Sequence, residues 1–89
     1  MTARVTGRVQ GVGFRWWIRR HAEALALTGW VMNANDERSV ELVAEGEPDS
    51  LDDLQRLLHD GPSGARVESV EASRQPASGE FDGFGIVRS

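Results

Sequence analysis

The chain has 89 residues, enough for one domain with a single core and too few for a deep cleft between two lobes. It contains no cysteine, which excludes disulfides, zinc–thiolate sites and thiol nucleophiles, while its hydrophobic content of 39% and charged content of 27% are those of a globular protein. The net charge of −4 argues against a general nucleic-acid binder.

The first half of the chain predicts a strand, a helix and two more strands. Apolar residues alternate at period two over residues 5–9, which indicates a strand. From Phe14 to about Leu27 the apolar spacing becomes three or four residues, which predicts a helix that Thr28 and Gly29 end. The apolar run 30–32 and the alternation over 40–45 predict two strands, joined by a polar hairpin.

The second half predicts another helix and two strands. Pro48 begins the helix, with Asp49 near the positive end of its dipole, and the helix ends at Gly61. Its expected buried stripe consists of Leu51, Leu54, Leu57 and Leu58. Residues 66–73 predict a strand in which the spacing of the two valines allows a bulge, and alternation around Phe84 predicts a last strand.

This element order predicts the fold class. The predicted order is β-α-β-β-α-β with a short extra strand. Because hairpins are short and crossovers are right-handed, this order allows few sheet topologies. We predict an α+β fold in which residues 1–89 form one domain, a ferredoxin-like α/β sandwich with an antiparallel sheet and both helices on one face. That architecture hosts many functions, so the chemistry has to be inferred from a site.

The charges are unevenly distributed along the chain. Residues 1–22 contain five arginines and no acidic residue, whereas residues 23–89 contain the other five arginines and all fourteen acidic residues. The basic part suits a small anion, although a solvated helix face would look the same. No signal peptide and no run of about 18 apolar residues is found, so we expect a cytoplasmic protein that binds neither membranes nor nucleic acid.

The segment from Gly7 to Arg15 has the strongest functional pattern. It connects a strand to a helix, and its glycines allow successive main-chain N–H groups to converge beside the positive end of the helix dipole. Arg15 adds a forked, permanent cation that matches two phosphate oxygens. The alternative is a tight turn whose arginine pairs with a surface acid. The segment matches neither the longer phosphate loop ending in Gly-Lys-Ser/Thr nor a dinucleotide fingerprint.

Together with Gly29-Trp30-Val31-Met32-Asn33, this segment resembles the signature pair of the acylphosphatase family, and the resemblance spans nearly the whole chain. It implies a hydrolase that cleaves the carboxyl–phosphate anhydride of small acyl phosphates. It assigns phosphate binding to Arg15 and orientation of the attacking water to Asn33. The implied cradle consists of Gln10, Gly11, Val12, Gly13 and Phe14, with inorganic phosphate or sulfate as further occupants.

The connection after Asn33 departs from the family pattern. It contains one residue more than usual and no glycine. Asn35 or Asp36 is therefore expected to adopt any positive φ that the turn requires.

The histidines, the carboxylates and the tryptophans do not indicate a second functional site. His21 and His59 are expected in structural or surface roles, and no histidine pair or carboxylate cluster has metal-ligand spacing, so we expect no metal and no cofactor. The tryptophans are expected at the core or its rim, with Trp16, beside Arg15, as a candidate to stack on an acyl group. No exposed apolar stripe requires a partner, so we expect a monomer.

Two other functions stay open. A non-hydrolytic module that binds phosphate or carbamoyl phosphate is one, because the leading domain of hydrogenase-maturation carbamoyltransferases carries a similar loop. An RNA-binding sheet is the other, although the aromatic recognition strand is missing and the overall charge is negative.

Overall fold

The computed structural model describes residues 1–88, and Ser89, the last residue of the predicted domain 1–89, lies outside them. The elements are β1 (Thr2–Arg8), α1 (Phe14–Ala24), β2 (Thr28–Asn33), β3 (Ser39–Glu45), α2 (Pro48–Asp60), β4 (Arg66–Ser73) and β5 (Phe84–Val87). The five strands form one sheet in the order β4-β1-β3-β2-β5, and the helices pack on one of its faces.

The core fills the space between the sheet and the two helices. Alternate strand residues such as Val5, Val31 and Leu42 point into it, as the period-two pattern requires. Helix α1 contributes Phe14, Ile18 and Ala22, and α2 contributes Leu51, Leu54 and Leu58, with Leu57 half-buried beside them. No helix among residues 1–88 is long and apolar enough to cross a membrane.

The sheet is mixed, so the expectation of a wholly antiparallel sheet is wrong at β5. That strand pairs in parallel with β2, with Phe84 opposite Gly29 and Val87 opposite Met32. The cause is the route of residues 74–83, which run along one end of the sheet from the β4 edge to the β5 edge. Because β5 starts at the end where β2 also starts, the two strands run in the same direction.

The crossing segment 74–83 is fastened at its midpoint by Glu45, the last residue of β3. The Glu45 carboxylate accepts hydrogen bonds from the Ser78 N–H, the Ser78 hydroxyl and the Gly79 N–H at 2.8–3.0 Å. These bonds, led by that of the Ser78 N–H, lower the pKa of Glu45. The fastening lies at the end of the sheet where β1 and β2 begin.

Strand β4 contains the bulge that its valine spacing predicted. Thr6 pairs with Ser69 and Gly7 with Val67, which leaves Glu68 as the extra residue. Gly7 has a φ of 141°, and a Cβ there would lie 2.1 Å from the Arg66 carbonyl oxygen, so only glycine fits. The bulge lies just before the loop that leaves β1.

Helix α1 ends at Ala24, three residues before the predicted end. Ala26 takes a left-handed φ of 58°, the Ala26 N–H donates to the Glu23 carbonyl and the Leu27 N–H donates to the Ala22 carbonyl. This is a Schellman ending with alanine where glycine is usual. Leu27 belongs to the apolar stripe because its side chain folds back into the core, 3% exposed.

Candidate active site

The loop between β1 and α1 is built around two left-handed glycines. Gly11 has a φ of 75° and Gly13 a φ of 76°, and a Cβ at either would meet no atom within 4 Å, so only the backbone conformation requires glycine. Gly13 is also the N-cap of α1 and supplies no side-chain cap, and the first helical bond runs from the Trp17 N–H to its carbonyl.

This backbone leaves a run of donors without protein acceptors. In the described part of the chain, no protein group accepts a hydrogen bond from the main-chain N–H groups of residues 10–16. Unpaired N–H groups at a helix N-terminus favour an anion, because the positive end of the helix dipole lies there. The loop and the first turn of α1 therefore have the chemistry of an oxyanion-binding site.

Arg15 lies in the first turn of α1, where the dipole disfavours a cation. Helix α1 has no acidic residue in that turn, whereas α2 has Asp49 in the equivalent turn. Within residues 1–88, Arg15 forms no ion pair with a carboxylate, and among the arginines without one it alone is half-buried, since Arg8, Arg20, Arg66 and Arg88 are exposed. A half-buried arginine without a carboxylate partner, in the same helical turn as unpaired N–H groups, indicates an anion from outside the chain.

Asn33 is the last residue of β2 and faces the helix-covered side of the sheet. It pairs with Val40, whose side chain is in the core. Its Oδ1 atom is buried and accepts no hydrogen bond from the described residues. Such an unsatisfied acceptor is costly in a folded protein, and a catalytic role is one physical reason for keeping it.

Gln10 connects the glycine loop to the hairpin that follows Asn33. Its Nε2 atom donates to the Ala34 carbonyl at 3.0 Å and to the Ser39 carbonyl at 2.9 Å. Ser39 also accepts the Ala34 N–H at 2.9 Å, which closes the hairpin. These hydrogen bonds hold the loop against the end of β2, and they turn the Gln10 side chain towards the hairpin.

The hairpin itself is organised by Asp36. Its carboxylate accepts hydrogen bonds from the Arg38 N–H, the Ser39 N–H, the Ser39 hydroxyl and the Arg4 guanidinium at 2.8–2.9 Å. These bonds, led by that of the Arg38 N–H, lower the pKa of Asp36 to about 2. Ser39 is fully buried, and its hydroxyl also lies 3.0 Å from that of Thr6.

The residue with positive φ in this hairpin is Glu37, at 61°, so the expectation that Asn35 or Asp36 would adopt it is wrong. Asp36 holds the turn through its side chain, which the Asp-x-x-Ser spacing of residues 36–39 could have indicated.

The remaining predicted residues divide between core and surface. The Phe14 ring is 1% exposed and packs edge-on against Trp17, so its N–H is the group available to a ligand. Val12 is half-buried against the core. His21 packs against Trp17 with ring centroids 4.7 Å apart. Trp16 is 58% exposed, with the Arg19 guanidinium 5.6 Å from its ring centroid.

The hollows of the surface are shallow. One of about 590 Å³ lies on the uncovered face of the sheet, around Trp30, Glu41 and Glu71, and includes none of the glycine loop. Another of about 330 Å³ lies beside the loop and includes Gln10 and Arg38. We place the candidate site at the loop because the unpaired donors lie there.

The chain is similar to known proteins over almost its whole length. A family model described as acylphosphatase matches residues 1–86. An acylphosphatase of Salinibacter ruber is 50% identical over 88 residues, which cover 99% of this chain and 92% of that protein.

Solved structures show the same architecture. The crystal structure of an acylphosphatase from Bacillus subtilis has a TM-score of 0.91 and 34% identity, covering 97% of this chain and 94% of that chain. T. kodakarensis HypF matches with a TM-score of 0.84 and 30% identity, over 100% of this chain and 12% of that chain. These matches confirm the predicted ferredoxin-like α+β fold.

Proposed function

The chain belongs to the acylphosphatase family and is an enzyme of that family, and we propose that Arg15, Asn33 and the main-chain N–H groups of residues 10–14 carry its reaction. The substrate is a small acyl phosphate, and the products are a carboxylate and inorganic phosphate. The observation that supports this assignment most strongly is the run of unpaired N–H groups in the loop and the first helical turn, which also contains Arg15, a residue without a carboxylate partner among residues 1–88.

The phosphate of the substrate lies against the loop and the first turn of α1. The N–H groups and the Arg15 guanidinium donate to its oxygens, which neutralises its charge and fixes its orientation. Positioning and charge neutralisation provide most of the catalysis in phosphoryl transfer. An open loop holds the phosphate and leaves the acyl group near solvent, so we propose that the enzyme accepts acyl groups of several shapes.

Water attacks the phosphorus atom from the side of Asn33. Its oxygen forms a new P–O bond, the bond between phosphorus and the carboxyl oxygen breaks, and the carboxylate leaves with the electron pair. The proton that the water loses passes to solvent. A carboxylate is a good leaving group, so little general-acid assistance is needed. The half-buried Asn33 amide has both a donor and an acceptor with which to orient this water, and being neutral it does not repel the phosphate as aspartate would.

The test is steady-state hydrolysis of benzoyl phosphate by purified variants. Arg15→Ala removes two charge-assisted bonds of about 1.5–3 kcal/mol each, so kcat/KM should fall by about 10²- to 10⁴-fold. Asn33→Ala should lower kcat by about 10²-fold, since the water loses its orientation. Arg20→Ala is the matched control, because Arg20 is exposed on the same helix.

Retained activity in Arg15→Ala would remove the proposed mechanism. Binding of inorganic phosphate without turnover by the wild type would favour the alternative of a non-hydrolytic binding module. We also propose that residues 1–89 act as one domain and that the reaction needs no metal, so that a chelator leaves the rate unchanged. Monomeric state and cytoplasmic location stay predictions from the sequence.

A further inference from the structure

Gln10 belongs to two parts of the molecule at once. Its main chain lies in the glycine loop, and its side-chain amide makes two hydrogen bonds to the hairpin after β2, at 3.0 Å and 2.9 Å. Both acceptors are main-chain carbonyls, which can only accept, so the NH₂ end of the amide has to face them. Both N–H bonds of this group are used within the protein.

The two acceptors lie next to Asn33, at the first step of the hairpin beyond it. Ala34 follows Asn33 directly, and Ser39 precedes Val40, the residue paired with Asn33. Ser39 is in turn held by Asp36 and lies against Thr6 of β1. The hydrogen bonds of Gln10 therefore join the phosphate loop to a firmly held pair of residues directly beyond the Asn33–Val40 pair.

This connection matters because the two reacting groups are held by different elements. The phosphate is held by the loop and α1, and the water is held at the end of β2. A displacement of about 1 Å between reacting groups can cost about a hundredfold in rate. The hairpin contains no glycine, and its left-handed φ is at Glu37. No residue of the hairpin therefore has the backbone freedom of glycine to absorb a change in conformation.

We propose that Gln10 is a positioning residue that sets the distance between the bound phosphate and the water held by Asn33. The inference rests on the proposed function, in which Asn33 orients the water. It differs from a role for the Gln10 side chain in the phosphate cradle, which would appear as lost phosphate affinity. It also differs from a purely structural role, which would appear as lost stability alone.

A double-mutant cycle tests this inference. Gln10→Met keeps the length of the side chain and removes both donors, so kcat should fall by about tenfold or more while the Kd for inorganic phosphate stays within about twofold. In an Asn33→Ala background the same substitution should change kcat by less than about twofold, because there is no longer an oriented water to misplace. Gln75→Met is the matched control, since the Gln75 Nε2 also makes two hydrogen bonds, to Thr2 and Ser73.

The outcomes separate the two proposals. If Asn33→Ala itself keeps the wild-type kcat, the proposed function fails. If Asn33→Ala lowers kcat but the effect of Gln10→Met is the same with and without Asn33, the positioning role of Gln10 is overturned and the proposed function stands. A rise in the phosphate Kd with unchanged kcat would also overturn it, in favour of a cradle role.

Gln10→Glu gives a second readout that does not depend on how well Gln10→Met folds. The introduced carboxylate has no proton to donate to the two carbonyls, whereas the protonated carboxyl can donate one. The kcat of this variant relative to wild type should therefore rise as the pH falls through the titration of that carboxyl. A pH profile parallel to that of the wild type would overturn the inference.

Discussion

Gly13→Ala tests whether the left-handed backbone of the loop makes the anion site. Gly13 and Gly79 provide a matched pair: their φ angles are 76° and 73°, and a Cβ at either would meet nothing within 4 Å. Gly13 caps α1 at the proposed site, whereas Gly79 lies in the crossing segment at the opposite end of the sheet. The same substitution at both positions therefore applies the same backbone strain to two different places.

The expected losses of stability and phosphate affinity follow from the left-handed backbone at the two glycines. A left-handed alanine costs about 1–2 kcal/mol, and the lower entropy of the unfolded alanine chain offsets about 0.4–1 kcal/mol of that. Both variants should thus lose about 1 kcal/mol of unfolding free energy, or about 4–8 °C in Tm for a domain of this size. In Gly13→Ala the relaxing backbone also turns N–H groups away from the phosphate. One lost charge-assisted bond, about 1.5–3 kcal/mol, weakens phosphate binding by about 10- to 150-fold.

The assay combines thermal unfolding with the Kd of inorganic phosphate and the kcat/KM for benzoyl phosphate. We expect similar losses of Tm in both variants, and losses of phosphate affinity and activity in Gly13→Ala alone. Wild-type phosphate affinity in Gly13→Ala, at a Tm lowered as in Gly79→Ala, would refute the reasoning, because the anion site would then not depend on the left-handed backbone.

Acid stability, core packing and phosphate binding can each be tested with one further variant. The pKa of Asp36 is lowered from 3.8 to about 2, so its carboxylate stabilises the fold above the ordinary pKa and this stabilisation is lost as the pH falls from about 4 to about 2. The Tm of Asp36→Asn should change less over that range than the Tm of the wild type, and equal slopes would contradict this. Leu54 is fully buried, so Leu54→Ala should lose about 2–5 kcal/mol in urea unfolding, and a similar loss for the half-buried Leu57 would contradict the assignment of the core. Inorganic phosphate at about 100 times its Kd should stabilise the wild type by about 2.7 kcal/mol, and an equal Tm shift in Arg15→Ala would contradict its role.

Local patterns were sufficient for most of the fold. The start of α1 at Phe14, the start of α2 at Pro48 and the span of β4 follow from periodicity and capping residues alone, and the bulge follows from the spacing of two valines. The parallel pairing of β5 could not be predicted in this way, since it depends on how residues 74–83 run past three other strands. The end of α1 was misplaced because Leu27 keeps the apolar spacing after the backbone has left the helix.

The candidate site was also predictable from the sequence only in part. Glycines before a helix indicated the loop, and the resemblance pointed to Arg15 and Asn33. The bonds from Gln10 to Ala34 and Ser39 join residues more than twenty positions apart, and no local pattern encodes them. The positive φ of Glu37 was missed because residue types alone favour Asn35 or Asp36 for that conformation. In the structure the Asp36 side chain accepts the N–H groups of Arg38 and Ser39, and Glu37 between them takes the positive φ.

The route of the crossing segment makes β5 a separable piece of the protein. Residues 74–80 are all exposed, and β5 is attached through its ladder with β2 and through the buried ring of Phe84. A backbone cut in this segment would leave the glycine loop, Arg15 and Asn33 together on the larger fragment. The smaller fragment would be a short peptide whose docking restores the sheet edge and refills the core. The fold is in this respect a natural starting point for a split protein, in which reassembly of two pieces is read out as recovered stability.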